Sequence, residues 1–172
     1  FDVADYFPSC TANNVARFFR VDLDCSPDVS AVLVRLTTLK ECLPQGSPCS
    51  TILAYYCNRP MWLSVEKIVT DAGCKLSLYA DDITISGDVV RKSMIWEVKK
   101  TVHGSGLRLK ASKEVSLIKS AADITGVIVK PDGTYLPNRQ LKKLAELKAL
   151  HSTTVNPKDK ARIENQIAGR IA

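Results

Sequence analysis

The chain has 172 residues, 45% hydrophobic and 24% charged, the composition of a folded domain with a real core rather than of a disordered tract. No apolar run approaches the roughly 20 residues that a membrane span needs, and the acidic opening FDVADYF does not read as a signal peptide. The net charge of +6 is uneven: residues 1–100 carry 11 Lys and Arg against 12 Asp and Glu, while residues 101–172 carry 13 against 6. The second part is therefore suited to phosphate contacts, or simply to a solvated basic surface.

Phe1–Val3 reads as a short extended start, followed by a helix over 12–20. Ser26-Pro27-Asp28 signals a helix start, with Val29, Val32, Leu33 and Leu36 repeating on one face. The loop 43-LPQGSPCS-50 feeds a long apolar helix that is interrupted near Pro60 and stopped by Gly73. A strand, a tight turn and a second strand then span 75–87. Asp88 is the expected N-cap of a helix carrying Val90, Met94, Val98 and Val102, closed by Gly104. Short strands are expected over 106–109, 115–118 and 124–129, with a hairpin turn at Pro131-Asp132-Gly133-Thr134. Two helices end the chain. One starts at Asn138 with Leu141, Leu144 and Leu147 inward, and the other is capped by Asn156 and carries Ile163 and Ile167. Mixed helices and short antiparallel strands predict an α+β domain.

Six cysteines without a CxxC pair, beside only two histidines, fit buried free thiols in a reduced, cytoplasmic protein better than a zinc module.

The chemistry is concentrated in 76-LSLYADDITISG-87, where Asp81 and Asp82 interrupt an alternating apolar pattern. Asp is a poor strand residue and adjacent carboxylates repel, so a hairpin turn is where the pair fits. Two aspartates in a turn often mean only a turn, but 1-FDVADYFPSC-10 adds Asp2 and Asp5. Asp5 fits a helix cap, whereas Asp2 sits beside Val3 in an extended start. One aspartate ending a strand, packed beside a hairpin offering another, makes a two-ion site for in-line displacement at phosphorus.

These residues resemble reverse transcriptases. Tyr79-Ala80-Asp81-Asp82 is similar to the family's Tyr-X-Asp-Asp turn, FDVADYFPS to its first aspartate motif, and 43-LPQGSPCS-50 to its Leu-Pro-Gln-Gly-X-Pro-X-Ser motif. Gly106–Lys113 resembles the lysine-bearing segment, residues 124–144 resemble bacterial retron-type enzymes, and residues 161–172 the helix leading into the thumb.

The resemblance implies a polymerase palm over 1–150, an antiparallel sheet with helices on one face, and a palm–thumb connection over 151–172. The fingers and most of the thumb would lie outside this sequence, so the fragment alone is expected to be weak or inactive. Asp2 and Asp81 would be catalytic metal ligands for Mg²⁺, with Mn²⁺ able to substitute, and Asp82 would be either a supporting ligand or an acid standing behind them. Phe7 would exclude the sugar 2′-hydroxyl, unless it is a core aromatic. Tyr79 would pack beneath the primer end. Gln45 and Gly46 would line the template and nascent base pair. Lys113, with Lys110 as the alternative, would act near the pyrophosphate leaving group. Cys49 and Thr51 depart from the family's usual Thr and Pro. The implied partners are an RNA template, a DNA primer and product, dNTPs and a cognate structured RNA, in a bacterial cytoplasm and with no membrane. Two other readings compete. An RNA-dependent RNA polymerase also uses paired aspartates, although Phe7 and Tyr79-Ala80 speak against it; a non-catalytic nucleic-acid-binding scaffold is the third.

Overall fold

The computed structural model describes residues 1–118, 120–130 and 132–171. Helices and short antiparallel strands intermix, an α+β arrangement as expected. Two compact units divide the chain, Phe1–Val115 and a second that begins at Ser116.

The first unit opens with β1 (Val3–Ala4), the short α1 (Tyr6–Ser9) and α2 (Ala12–Arg17). Thr11 and Asn14 cap α2 reciprocally, each side chain accepting from the other's backbone N–H. A π-helical turn over Phe18–Asp22 continues α2, and both Phe18 and Phe19 are buried there. Ser26 then starts α3 (Pro27–Thr37), as the sequence predicts. Its expected inward stripe is largely exposed: Val29, Val32 and Leu36 face outward, and only Leu33 of that set packs on the core. The buried residue of α3 is instead Ser30, whose hydroxyl donates to the Ala16 carbonyl at 3.4 Å. A small polar residue at the α2–α3 contact thus overrides the apolar periodicity.

After the proline-rich loop come α4 (Ser50–Cys57) and α5 (Arg59–Asp71), separated at Asn58 because Pro60 is tolerated in a first turn but not in a helix interior. The hairpin strands β2 (Lys75–Tyr79) and β3 (Asp82–Ser86) pair Leu76 with Ile85 and Leu78 with Ile83. That apolar face packs on the helical core, with Ile83 fully buried. Helix α6 (Lys92–Gly104) begins later than the sequence suggests: Arg91, not Asp88, is its N-cap. Val90 consequently lies outside the helix and is exposed, while Met94, Val98 and Val102 are buried as expected. Helix α5 packs against α6 and β2, and β4 (Arg108–Leu109) pairs antiparallel with β1.

In the second unit β5 (Ala122–Ile124), β6 (Val127–Lys130) and β7 (Gly133–Tyr135) form an antiparallel meander. The sequence suggests a single strand over 124–129; Thr125 and Gly126, both at positive φ, fold it into a hairpin instead. No strand forms over 115–118, where all four residues are exposed. The second hairpin places Lys130 opposite Gly133; Pro131 of its predicted turn lies outside the described residues, as does Ala172. Helices α7 (Asn138–Thr153) and α8 (Pro157–Ile171) pack on each other. Asn156 caps α8, accepting from Lys158 N–H at 3.0 Å. Ile163 is buried as expected and Leu144 and Leu147 are half-buried, but Leu141 is exposed.

Candidate active site

The opening residues are stitched between two strands. Val3 N–H donates to the Asp81 carbonyl at 2.9 Å, and Ile83 N–H to the Phe1 carbonyl at 2.8 Å. This makes Asp2 and Asp82 an antiparallel bridge of the non-hydrogen-bonded kind, in which facing Cα atoms stand only about 4.5 Å apart. On the other side Val3 pairs with Leu109 and Ala4 with Arg108. Continuing that register puts Lys110 beside Asp2, where its N–H donates to the Asp2 carbonyl at 2.8 Å. Tyr79 is the partner of Asp82 across the hairpin.

Because side chains alternate across a pleated sheet, these registers define one transverse row: Lys110, Asp2, Asp82, Tyr79, in the strand order β4–β1–β3–β2. The neighbouring positions Val3, Leu109, Ile83 and Leu78 take the opposite face and join the core. Asp81 lies in the two-residue hairpin connection with Ala80, which adopts φ 51°. Asp82 is not in the turn, as the sequence suggests, but is the first residue of β3.

Asp2 is 5% exposed. Burial acts to raise its carboxyl pKa, but two lysines outweigh burial and hold it below the ordinary carboxylate value. Lys110 Nζ lies 2.5 Å from Oδ1 and Lys113 Nζ lies 3.4 Å from Oδ2. Pairing with Asp2 in turn pushes the Lys110 ammonium up, opposed by slight desolvation and assisted by the charges of Asp81 and Asp5. The Oδ1 contact is close but off-axis, and Oδ1 is buried without a hydrogen-bond donor in good geometry.

Among the described residues, no group of three or more His, Cys, Asp and Glu side chains is gathered to hold a metal ion. The residues still suit a cation in a definite way. Asp82 faces Asp2 from the adjoining strand, an arrangement of like charges that destabilises a sheet. Among the described residues both lysines pair with Asp2 and none with Asp82. A buried, poorly satisfied carboxylate oxygen beside a second carboxylate is a setting that oxygen-seeking divalent cations match.

Against known proteins, no family model matches the chain. Retron Ec86 reverse transcriptase of Escherichia coli is 27% identical over 146 residues, covering 83% of this chain. Retron Se72 reverse transcriptase of Salmonella heidelberg (strain 579083-10) is 31% identical over 141 residues, covering 75%. The chain is a homologue of retron reverse transcriptases. It spans 45% and 36% of the lengths of those two relatives.

Phe7 lies in α1, half-buried, its ring centroid 5.8 Å from that of Tyr6. Tyr6 is anchored in turn by Trp62, whose Nε1 donates to its hydroxyl at 3.1 Å. Gln45 and Gly46 are exposed in the turn before α4, and Gly46 uses φ 90° with open space around it. Tyr79 is 68% exposed. A groove of about 410 Å³ lies between the loop motif and the hairpin, with Pro48 contributing from the loop, Thr51 from α4, and Leu78 and Ala80 from the hairpin. Its aromatic lining, Tyr55 and Tyr56 on α4 with Trp62 on α5, is absent from the sequence-derived site; the adjacent tyrosines, one helical turn after the loop motif, are the available signal. The sequence also leaves Lys110 and Lys113 as rivals, whereas both reach Asp2 and Lys110 is the closer.

Proposed function

We propose that the chain is the catalytic palm, with the root of the thumb from residue 151, of an RNA-directed DNA polymerase that adds dNTPs to a primer. The reading is carried by the row Lys110–Asp2–Asp82–Tyr79, with Asp81 in the adjoining turn, in a homologue of retron reverse transcriptases. A divalent cation, Mg²⁺ or Mn²⁺, supplies charge neutralisation for in-line displacement at phosphorus when bound by such carboxylates. Asp2, Asp81 and Asp82 are the residues that would hold it.

The protein's own groups do the rest. Backbone pairing on both sides fixes Asp2, so its carboxylate needs little reorganisation when substrate arrives. Lys113 and Lys110 offer ammonium groups to the leaving pyrophosphate. Phe7 excludes a 2′-hydroxyl by bulk, Tyr79 supports the primer end, and Gln45 with Gly46 lets the backbone approach the template pair. The basic residues of the second unit meet backbone phosphates. An RNA template, a DNA primer and a cognate structured RNA are the expected macromolecular partners, in the bacterial cytoplasm.

Nucleotide selection tests this reading. Primer extension by the full-length protein on an RNA template is expected to favour dNTPs over rNTPs, and Phe7→Ala is expected to narrow that preference by roughly tenfold or more, the scale of losing one well-fitted steric contact. A preference for rNTPs in the unsubstituted protein would overturn it in favour of an RNA polymerase.

A further inference from the structure

Two lysines reach Asp2, and they are held differently. Lys113, at the end of a 3₁₀ turn over Ala111–Lys113, is 61% exposed and reaches Asp2 Oδ2 only at 3.4 Å. The Lys110 backbone N–H is fixed to the Asp2 carbonyl at 2.8 Å, and its ammonium lies 2.5 Å from Oδ1. Lys110 therefore stands where the positive charge of a bound cation would act, against Asp2 Oδ1, a buried carboxylate oxygen that lacks an aligned donor.

We propose that Lys110 is a displaceable counter-ion of the Asp2–Asp82 pair: its ammonium occupies Asp2 Oδ1 until a divalent cation takes that oxygen, and then leaves it. This inference rests on reading Asp2 and Asp82 as a divalent-cation site. Three observations carry it. First, two carboxylates in a non-hydrogen-bonded cross-strand pair need a nearby positive charge, and burial of Asp2 strengthens that need. Secondly, an ammonium and a divalent cation cannot both lie within contact distance of one carboxylate oxygen without strong mutual repulsion. Thirdly, the Lys110 contact is not secured by an aligned hydrogen bond, so its side chain can move away while its backbone stays pinned in the sheet. The lysine keeps the site assembled and charged, and it sets an energetic threshold for loading. Once released, the ammonium is free to meet an anionic ligand beside the same carboxylates. Lys110 is thus a positioning residue for the site.

The test is Mn²⁺ titration followed by electron paramagnetic resonance, in the protein carrying Lys110→Met, Lys110→Arg or Lys113→Met. Lys110→Met, which keeps the apolar stem, is expected to bind Mn²⁺ about tenfold more tightly, equivalent to about 1.4 kcal/mol. Lys110→Arg restores the competing charge and is expected to bind as the unsubstituted protein does. Lys113→Met is expected to change affinity by no more than about twofold, given its looser, exposed contact. A second readout needs no substitution: acylation of Lys110 by an amine-reactive reagent, read by mass spectrometry, is expected to rise several-fold on adding Mn²⁺. Unchanged or weaker binding in Lys110→Met, or unchanged Lys110 labelling, overturns the counter-ion role. Loss of Mn²⁺ binding in Asp2→Asn with no effect of Lys110→Met removes that role alone. Failure of the unsubstituted protein to bind Mn²⁺ removes the cation site and the role together.

Discussion

Asp2 and Asp82 differ less in chemistry than in neighbours. Asp2 has a lysine on its outer flank and is buried, while Asp82 has Tyr79 on its outer flank and is half-buried. Ala80 marks the same spot in the backbone: a non-glycine residue at φ 51° is uncommon and costs about 1 kcal/mol or more. A buried thiol tells a simpler story. Burial, reinforced by the neighbouring Cys10, pushes Cys57 up to about 12 despite the opposing charge of Arg17. An unfolded thiol titrates near 8.5, so the folded state keeps a proton that the unfolded chain releases. The stabilisation is complete below roughly pH 8.5 and is lost as pH rises toward the folded value. Urea unfolding between pH 7 and pH 10.5 is expected to show falling stability, with a shallower fall in Cys57→Ala; equal slopes would contradict this account. The charged residues of the site were legible because aspartates inside an alternating apolar pattern are out of place. The pairing of Lys110 with Asp2 was not, because the β1–β4 register joins residues far apart along the chain and no local pattern encodes it.

Strand alternation specified the hairpin well, since a slip of one residue would have turned Ile83 out of the core and Asp82 into it. Helix starts were less legible. Asp88 looks like a cap, yet α6 starts after Arg91 without any side-chain cap, so packing rather than capping sets that end. Members of the expected apolar stripe consequently differ. Val98 is fully buried opposite α5 and Val90 is exposed before the helix. Val98→Ala is expected to destabilise by about 2 kcal/mol, the cost of two buried methyl groups and the space they leave. Val90→Ala is expected to stay within about 0.5 kcal/mol, as exposed substitutions do. Chemical denaturation of both variants checks the assignment, and comparable losses would place Val90 back on the helix. Helix α3 misled for another reason: its apolar repeat is real, but the contact with α2 is made by Ser30.

At the scale of the molecule, the polar row and the apolar core belong to one unit, residues 1–115, and the excess of basic charge falls mostly in residues 101–172. The sheet holding the row is assembled from chain ends that are remote in sequence: β1 opens the unit, β4 nearly closes it, and the hairpin comes between. Such a site forms only when the whole unit folds. No helix among the described residues is long and apolar enough to cross a membrane. In the proposed function Asp2, delivered into this sheet from the start of the unit, acts with the hairpin aspartates in nucleotidyl transfer. Primer extension on an RNA template with dNTPs and Mg²⁺, comparing the full-length protein with and without Asp2→Asn, checks this role. The account predicts a loss of at least about a hundredfold in rate, the scale of removing one well-placed electrostatic group from an active site, with folding retained. A folded Asp2→Asn protein that extends primers at an undiminished rate would contradict it.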